Sequence, residues 1–414
     1  MKLKWLFNLC CISVVCIPYP GYLGKAFLRA VDLFVVGIAA SSLVILIVKN
    51  RYEIERSKTY LVFIAVFIIQ FISIFNSDSS VSLVKDLMEL YKVITLIFVF
   101  GVGVMSAKYI SDQSVNNLLL FLFVYSTCIA LLQVVFGPSV FMYFYSARPT
   151  EMIDAQYGAR VIGTMGNPNY FALLNIGFFF WSLSNFVRTS SIVYGAALFF
   201  SFMLILFSQS RTGITVFFLI LPLAYFLVSP KITGLNMTTL RSSCTFFFLF
   251  VFMSSIILYV FMFSNLGYLT SGYRTVYDSG LTSQSSFHAR LVFWEYFYEL
   301  IKEKPLFGYG PSKDFFMYNF ADNNYIYTTF KYGLVGLVVI LALWFSVLLF
   351  VFRAVRAYDL RHGVFALFFG LSILLTSFMA ETMDGLRVAP LFFLISGLIC
   401  GRLLLIRRDF HTIL

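Results

Sequence analysis

The sequence predicts an all-α integral membrane protein of about twelve transmembrane helices, with a large extracytoplasmic loop that carries an amphipathic helix. Three observations predict it. The 414 residues are 60% hydrophobic and 12% charged, whereas soluble domains are roughly 45–50% apolar and about 25% charged. Apolar runs near the bilayer-crossing length of about 20 residues recur along the chain, and the mean hydropathy is +0.89. Between those runs the basic residues gather in short loops, which is the orientation signal of a membrane protein.

Taken in order, the spans fall at residues 5–20, 26–48, 59–76, 83–105, 116–136, 170–187, 191–208, 212–229, 243–264, 332–352, 362–380 and 387–406. They group as N-terminal helices over 1–136, an outer loop over 137–169, central helices over 170–264, a large loop over 265–331, and C-terminal helices with a tail over 332–414. Lys2 and Lys4 precede an apolar stretch as in a signal peptide, but a clear small-x-small cleavage site is missing. The segment therefore reads as an uncleaved first span.

Short loops carry Lys49, Arg51, Arg56 and Lys58 after the second span, Lys231 and Arg241 after the eighth, and Arg353, Arg356 and Arg361 after the tenth. Arg402, Arg407 and Arg408 close the chain. With an even number of spans, these residues and both termini share the cytoplasmic side. The net charge of +11 thus signals orientation and not nucleic-acid binding. The two long loops face outward. In the larger, Phe287, Leu291, Trp294, Tyr298 and Ile301 recur at steps of 4, 3, 4 and 3, the pattern of an amphipathic helix. Ser285 or Ser286 caps its start, and Lys302, Lys304 and Pro305 mark its end.

Against this pattern, Arg211, Arg290 and Arg387 fall at or near the membrane on the opposite side. Cations there are disfavoured and need a reason, which an anionic lipid-linked substrate would supply. Arg211 lies in Ser208-Gln209-Ser210-Arg211-Thr212-Gly213, a polar break between apolar runs. It reads as a tight turn with a snorkelling side chain, or as a phosphate ligand whose guanidinium fork matches phosphate oxygens. Arg290 lies beside the apolar stripe of the loop helix, as an exposed surface residue or a functional one. The following Lys304-Pro305-Leu306-Phe307-Gly308-Tyr309-Gly310 lacks the spacing of a Walker loop.

Two further segments border spans. Gly163-Thr164-Met165-Gly166-Asn167-Pro168-Asn169-Tyr170 leads into the sixth, with Asn169 as a helix cap after the proline. Asp322-Asn323-Asn324-Tyr325 precedes Gly333-Leu334-Val335-Gly336, whose glycines permit close helix packing. Asp322 or Asn323 caps a helix there, or Asp322 is a carboxylate able to take a proton from a sugar hydroxyl. Glu381-Thr382-Met383-Asp384-Gly385-Leu386-Arg387 forms a turn whose default reading is an ion pair, with a supporting role open to Arg387. The outward loops hold no DxD or paired acidic motif. Arginines, not a divalent metal, would then carry the charge of a pyrophosphate leaving group. The six cysteines show no CxxC spacing, and GxSxG and HExxH are absent.

Together these segments resemble the O-antigen ligase and O-antigen polymerase family of bacterial surface-polysaccharide assembly, over roughly residues 160–350. The carrying residues are the Gly163–Tyr170 run with its GNPN, Ser210-Arg211-Thr212-Gly213, the string Arg290, Trp294, Pro305, Gly308 and Gly310, and Asp322-Asn323 followed by GxxG. The resemblance implies a GT-C-like, metal-independent, inverting glycosyltransferase without a cofactor. Its site faces the periplasm from the inner membrane. Its substrates are glycans on undecaprenyl pyrophosphate, and its neighbours are membrane lipid and a chain-length-regulating membrane protein. It also implies pyrophosphate binding by Arg211 and Arg290, a catalytic role for Asp322, and substrate contacts from Arg387, Asn167, Asn169, Asn323 and Tyr325. Ligases of this family carry His where this chain has Asp322, which favours a polymerase over a ligase. A glycan flippase or transporter is the alternative from another class, but the transporter type of internal repeat is missing.

Overall fold

The computed structural model describes residues 2–17, 58–76, 83–137, 141, 144–145, 160–228, 285–311, 321–358, 360–383, 385 and 387–413. The spans expected at 26–48 and 243–264, the basic residues Lys49, Arg51, Arg56, Lys231 and Arg241, and Asp384 of the last turn lie outside the described residues. Among the described residues the chain is all-helical, with eleven helices. They are α1 (Lys2–Cys16), α2 (Lys58–Ile74), α3 (Leu83–Ser106), α4 (Asp112–Phe136), α5 (Pro168–Thr189), α6 (Ile192–Phe207), α7 (Arg211–Val228), α8 (Ser285–Glu303), α9 (Asn324–Tyr358), α10 (Arg361–Thr376) and α11 (Val388–Ile413). Five contain a stretch long and apolar enough to cross a membrane, and five more are shorter apolar helices. The described helices are those of a membrane protein.

α5 and α11 form the centre, with 78% and 83% of their apolar spans buried. Phenylalanine fills the space around α5. Phe180 packs at a tilt on Phe368 of α10 at 4.3 Å between ring centroids, and Phe179 meets Phe217 of α7 edge-on at 4.9 Å. Such pairs add about 0.5–1.5 kcal/mol beyond area burial. The most extensive helix pair is α3 with α11. It rests on the Gly397-Leu398-Ile399-Cys400-Gly401 stretch, since a Cβ on Gly397 would lie 2.3 Å from the Phe100 carbonyl oxygen and one on Gly401 2.3 Å from that of Val104. Small residues at such a spacing let membrane helices approach backbone to backbone. The matching order of these contacts makes α3 and α11 parallel, so both start at the same end of the bundle.

At the other end Arg402 joins α11 to α4 and α10. It pairs with Asp112, contacts Nε2 of His362 at 3.0 Å and donates to the Ile110 carbonyl at 2.6 Å.

The tenth span, expected from residue 332, is the apolar part of α9 that follows Gly333, where a φ of 68 breaks the helix; a more polar first segment from Asn324 precedes it. One expectation about the loop is corrected. The amphipathic helix is present as α8, but its inward stripe is rotated. Phe297 is fully buried against Tyr327 and Phe330 of α9, while Tyr298 is 58% exposed. The inward row is Arg290, Trp294, Phe297 and Ile301, spaced 4, 3 and 4, so Arg290 belongs to the face that docks on α9.

Candidate functional site

The GNPN segment is held from both sides. Gln133 of α4, fully buried, accepts from the backbone N–H groups of Ile162 and Gly163 at 3.0 and 2.9 Å and donates to the Gly163 carbonyl at 2.8 Å. Gly163 has φ +52, and a Cβ there would strike the Phe171 ring. The cap of α5 is Asn167, not Asn169. Its side chain accepts from the Asn169 N–H at 2.8 Å, and Pro168 takes the first helical position, where its missing N–H costs nothing. Asn169 is thereby left to work outward. Its Oδ1 accepts from the Ser210 hydroxyl at 2.7 Å and from a guanidinium nitrogen of Arg160 at 3.4 Å.

Ser210 sits just before α7. Its Oγ also accepts from the Gly213 N–H at 3.0 Å, capping the helix that Arg211 begins. The preceding Gln209 has φ 48, a left-handed conformation that costs a non-glycine residue of order 1–3 kcal/mol and is typical of functional turns. Arg160, only 3% exposed, donates from Nε to the Ser208 carbonyl at 3.2 Å and so ties the same turn to the GNPN segment.

Asp322 repeats this feature at the start of α9, with φ 50. Asn323 is the cap, its Oδ1 accepting from the N–H groups of Tyr325 and Ile326 at 3.0 and 3.1 Å. The side chain of Asp322 meets Arg290 of α8, whose Nε stands 3.2 Å from Oδ2 in an ion pair. Trp294, one turn on, donates to the Ala321 carbonyl at 2.9 Å and fixes the height of α8 against this loop. Burial pushes the Asp322 carboxyl above the usual carboxylate range, and the nearby Arg290 cation opposes that rise.

Gly333 explains the remaining motif. It interrupts α9 at φ 68, ψ −178, a conformation that is essentially glycine-only. The interruption frees backbone groups, and the Lys304–Gly310 run takes them. Tyr309 and Gly310 donate to the carbonyls of Phe330 and Lys331 at 2.9 Å each, and Leu334 donates to Pro305 at 2.8 Å. The two glycine-containing motifs are thus halves of one backbone clasp.

The segments meet through Glu381. Its carboxylate accepts from the Ala321 N–H at 3.2 Å, and its carbonyl accepts from the Tyr170 hydroxyl at 2.8 Å. A continuous set of contacts therefore runs from the Arg211 turn through Asn169 and Tyr170 to Glu381, Asp322 and Arg290. The turn before α11 also holds α9, since the Asn324 side chain accepts from the Met383 N–H at 3.0 Å.

Two other sequence candidates make protein contacts. The Tyr325 hydroxyl donates to the Leu374 carbonyl at 2.6 Å. Arg387, 4% exposed, donates to the carbonyls of Thr164 and Ile17, the latter at 2.7 Å, and so holds the GNPN loop. Gln133, Arg160 and the binding role of Glu381 are not singled out from sequence. A glutamine within an apolar span was the available signal for the first. The other two become visible only once the segments meet.

Residues 196–341 match the family model described as O-antigen ligase. The match includes α7, α8, the Asp322 loop and the first part of α9, and it agrees with the family that the sequence motifs resemble. It supports a glycosyl-transfer enzyme of the O-antigen ligase or polymerase type. No curated protein matches the chain.

Proposed function

We propose that this protein is an O-antigen polymerase of the bacterial inner membrane, with about twelve spans, both termini in the cytoplasm and its site facing the periplasm. The donor is a glycan chain on undecaprenyl pyrophosphate, and the acceptor is the non-reducing-end hydroxyl of one lipid-linked repeat unit. Asp322 orients the acceptor hydroxyl and takes its proton as the oxygen attacks the anomeric carbon with inversion. Arg211 and Arg290 stabilise the departing pyrophosphate. Asn167, Asn169 and Asn323 set the loops around them, while Arg387 and Tyr325 act through those loops.

The observation that carries the reading is the Arg290–Asp322 pair at 3.2 Å. It sets a carboxylate that burial makes more basic beside a guanidinium suited to phosphate. A base and a leaving-group clamp are the two parts that metal-independent transfer needs. Ligation of a finished chain to lipid A–core is the second reading, favoured by the description of the matching family model. A glycan gel from a deletion strain separates the two. Core bearing a single repeat unit means a polymerase; bare core with lipid-linked polymer accumulating means a ligase.

A further inference from the structure

The outward arginines are not the only charges in the bundle. α3 carries Asp86, Glu89 and Lys92 within its first turns, and α9 carries Lys331, which is 1% exposed. Lys92 contacts both carboxylate oxygens of Glu89, at 3.0 and 2.9 Å, and Lys331 Nζ lies 4.0 Å from the nearer of them. Charged groups inside a membrane bundle are costly, and they mark substrate pathways by default.

Glu89 and Lys92 line a cavity of about 70 Å³ between α2, α3, α9 and α11. A single water needs only about 10–15 Å³, so the space takes a group of several heavy atoms. Its lining is graded. Gln70, Glu89 and Lys92 lie toward the end where α3 starts, and Leu96, Leu343 and Trp344 lie further along their helices. A polar head and an apolar tail would enter in that order, which is the chemistry of a polyprenyl phosphate. One wall is the Met383–Gly385 turn. Gly385 also faces the Tyr170 ring of the GNPN segment, so this turn separates the cavity from the arginine side of the site.

We propose that this cavity binds the phosphate end of the second lipid-linked substrate, the acceptor, with Lys92 as its phosphate contact. The inference rests on the polymerase reading, because that reaction takes lipid-linked pyrophosphate on both substrates. The Glu89 carboxylate lies between two ammonium groups, those of Lys92 and Lys331. An arriving phosphate therefore competes with Glu89 for Lys92. The competition gives adjacent residues opposite signs. Removing the ammonium weakens binding, and removing the competing carboxylate strengthens it.

The test is equilibrium binding of farnesyl pyrophosphate, a sugar-free probe, to the purified full-length protein in nanodiscs. Wild type should bind two molecules. Lys92→Met should weaken one site about tenfold, the worth of a charge-assisted hydrogen bond, while Lys92→Arg retains it. Glu89→Gln should tighten that same site, and Arg211→Ala should weaken the other. One site in wild type, or weakening by Glu89→Gln equal to that of Lys92→Met, overturns the proposal, since a structural ion pair predicts loss in both. Displacement by phosphatidylglycerol at matched concentration overturns the acceptor assignment and makes the cavity a phospholipid site. Binding needs no turnover, so a ligase result on the glycan gel would refute the polymerase reading and leave this binding result to stand or fall separately.

Discussion

The Nε atom of Arg290 lies 3.2 Å from Oδ2 of Asp322, across the contact between α8 and the start of α9. Burial pushes the carboxyl up and the arginine pulls it down, so the pair sets how basic Asp322 is. The guanidinium favours the charged carboxylate, and Arg290→Met leaves burial unopposed. The carboxyl of that variant titrates higher, and a base works only when deprotonated. The acid limb of kcat/KM should therefore move to higher pH in Arg290→Met, alongside a fall in the plateau from the lost clamp. A plateau loss with an unmoved acid limb would remove Asp322 as the titrating base.

Asp322→Asn keeps size and removes basicity. Polymer should vanish at unchanged expression, with a rate loss of about 10²–10⁴, the usual worth of general acid–base catalysis. Because Asn tolerates left-handed φ better than most residues, the strained φ of 50 is no reason for this variant to unfold. Normal long chains in a glycan gel of Asp322→Asn would end the assignment.

The clasp at Gly333 is a matter of stability and positioning. A Cβ there would lie 2.0 Å from the Leu306 carbonyl oxygen, in a backbone conformation that only glycine adopts readily. Gly333→Ala should lower the melting temperature of the purified protein, with about 1–3 kcal/mol from the dihedral alone. It should also release the Lys304–Gly310 run to protease. Gly336→Ala meets the Tyr332 Cβ and the Ile69 side chain instead, so its effect should leave the clasp protected from cleavage.

The membrane helices were legible because their signal is long and one-dimensional. The span expected at 83–105 is α3 at Leu83–Ser106, and that expected at 191–208 is α6 at Ile192–Phe207. Ends governed by side-chain capping were less so. Asn167 and Asn169 are the same residue type two apart, and only the geometry of Pro168 assigns the cap to the first. Arg290 is visible as a misplaced charge beside the apolar stripe, but its partner is not, because a stripe through Leu291 and Tyr298 leaves it at the margin of the face that docks on α9. Docking of Phe297 on Phe330 decides the face, and that contact is not written in the periodicity of α8 alone. Gln133 and Glu381 act through backbone groups of distant segments, which no local pattern encodes.

Arg211 and Arg387 carry the same misplaced charge in the sequence, and their surroundings separate them. Arg211 opens α7 half-buried, beside a turn strained at Gln209, and the proposed pyrophosphate role needs its planar fork. Arg387 is buried and bound to the Thr164 and Ile17 carbonyls. Arg211→Lys should therefore lose nearly as much polymerisation as Arg211→Ala, at wild-type thermal stability. Arg387→Ala leaves the buried Thr164 carbonyl without this donor, at about 1–3 kcal/mol, and releases the half-buried Ile17 carbonyl as well. Its first effect should be a lowered melting temperature and folded yield, with activity falling in proportion. Melting curves and chain-length gels on the same preparations distinguish the two residues. A stable but inactive Arg387→Ala would place that side chain with the substrate, and a wild-type chain-length profile in Arg211→Lys would reduce Arg211 to a point charge.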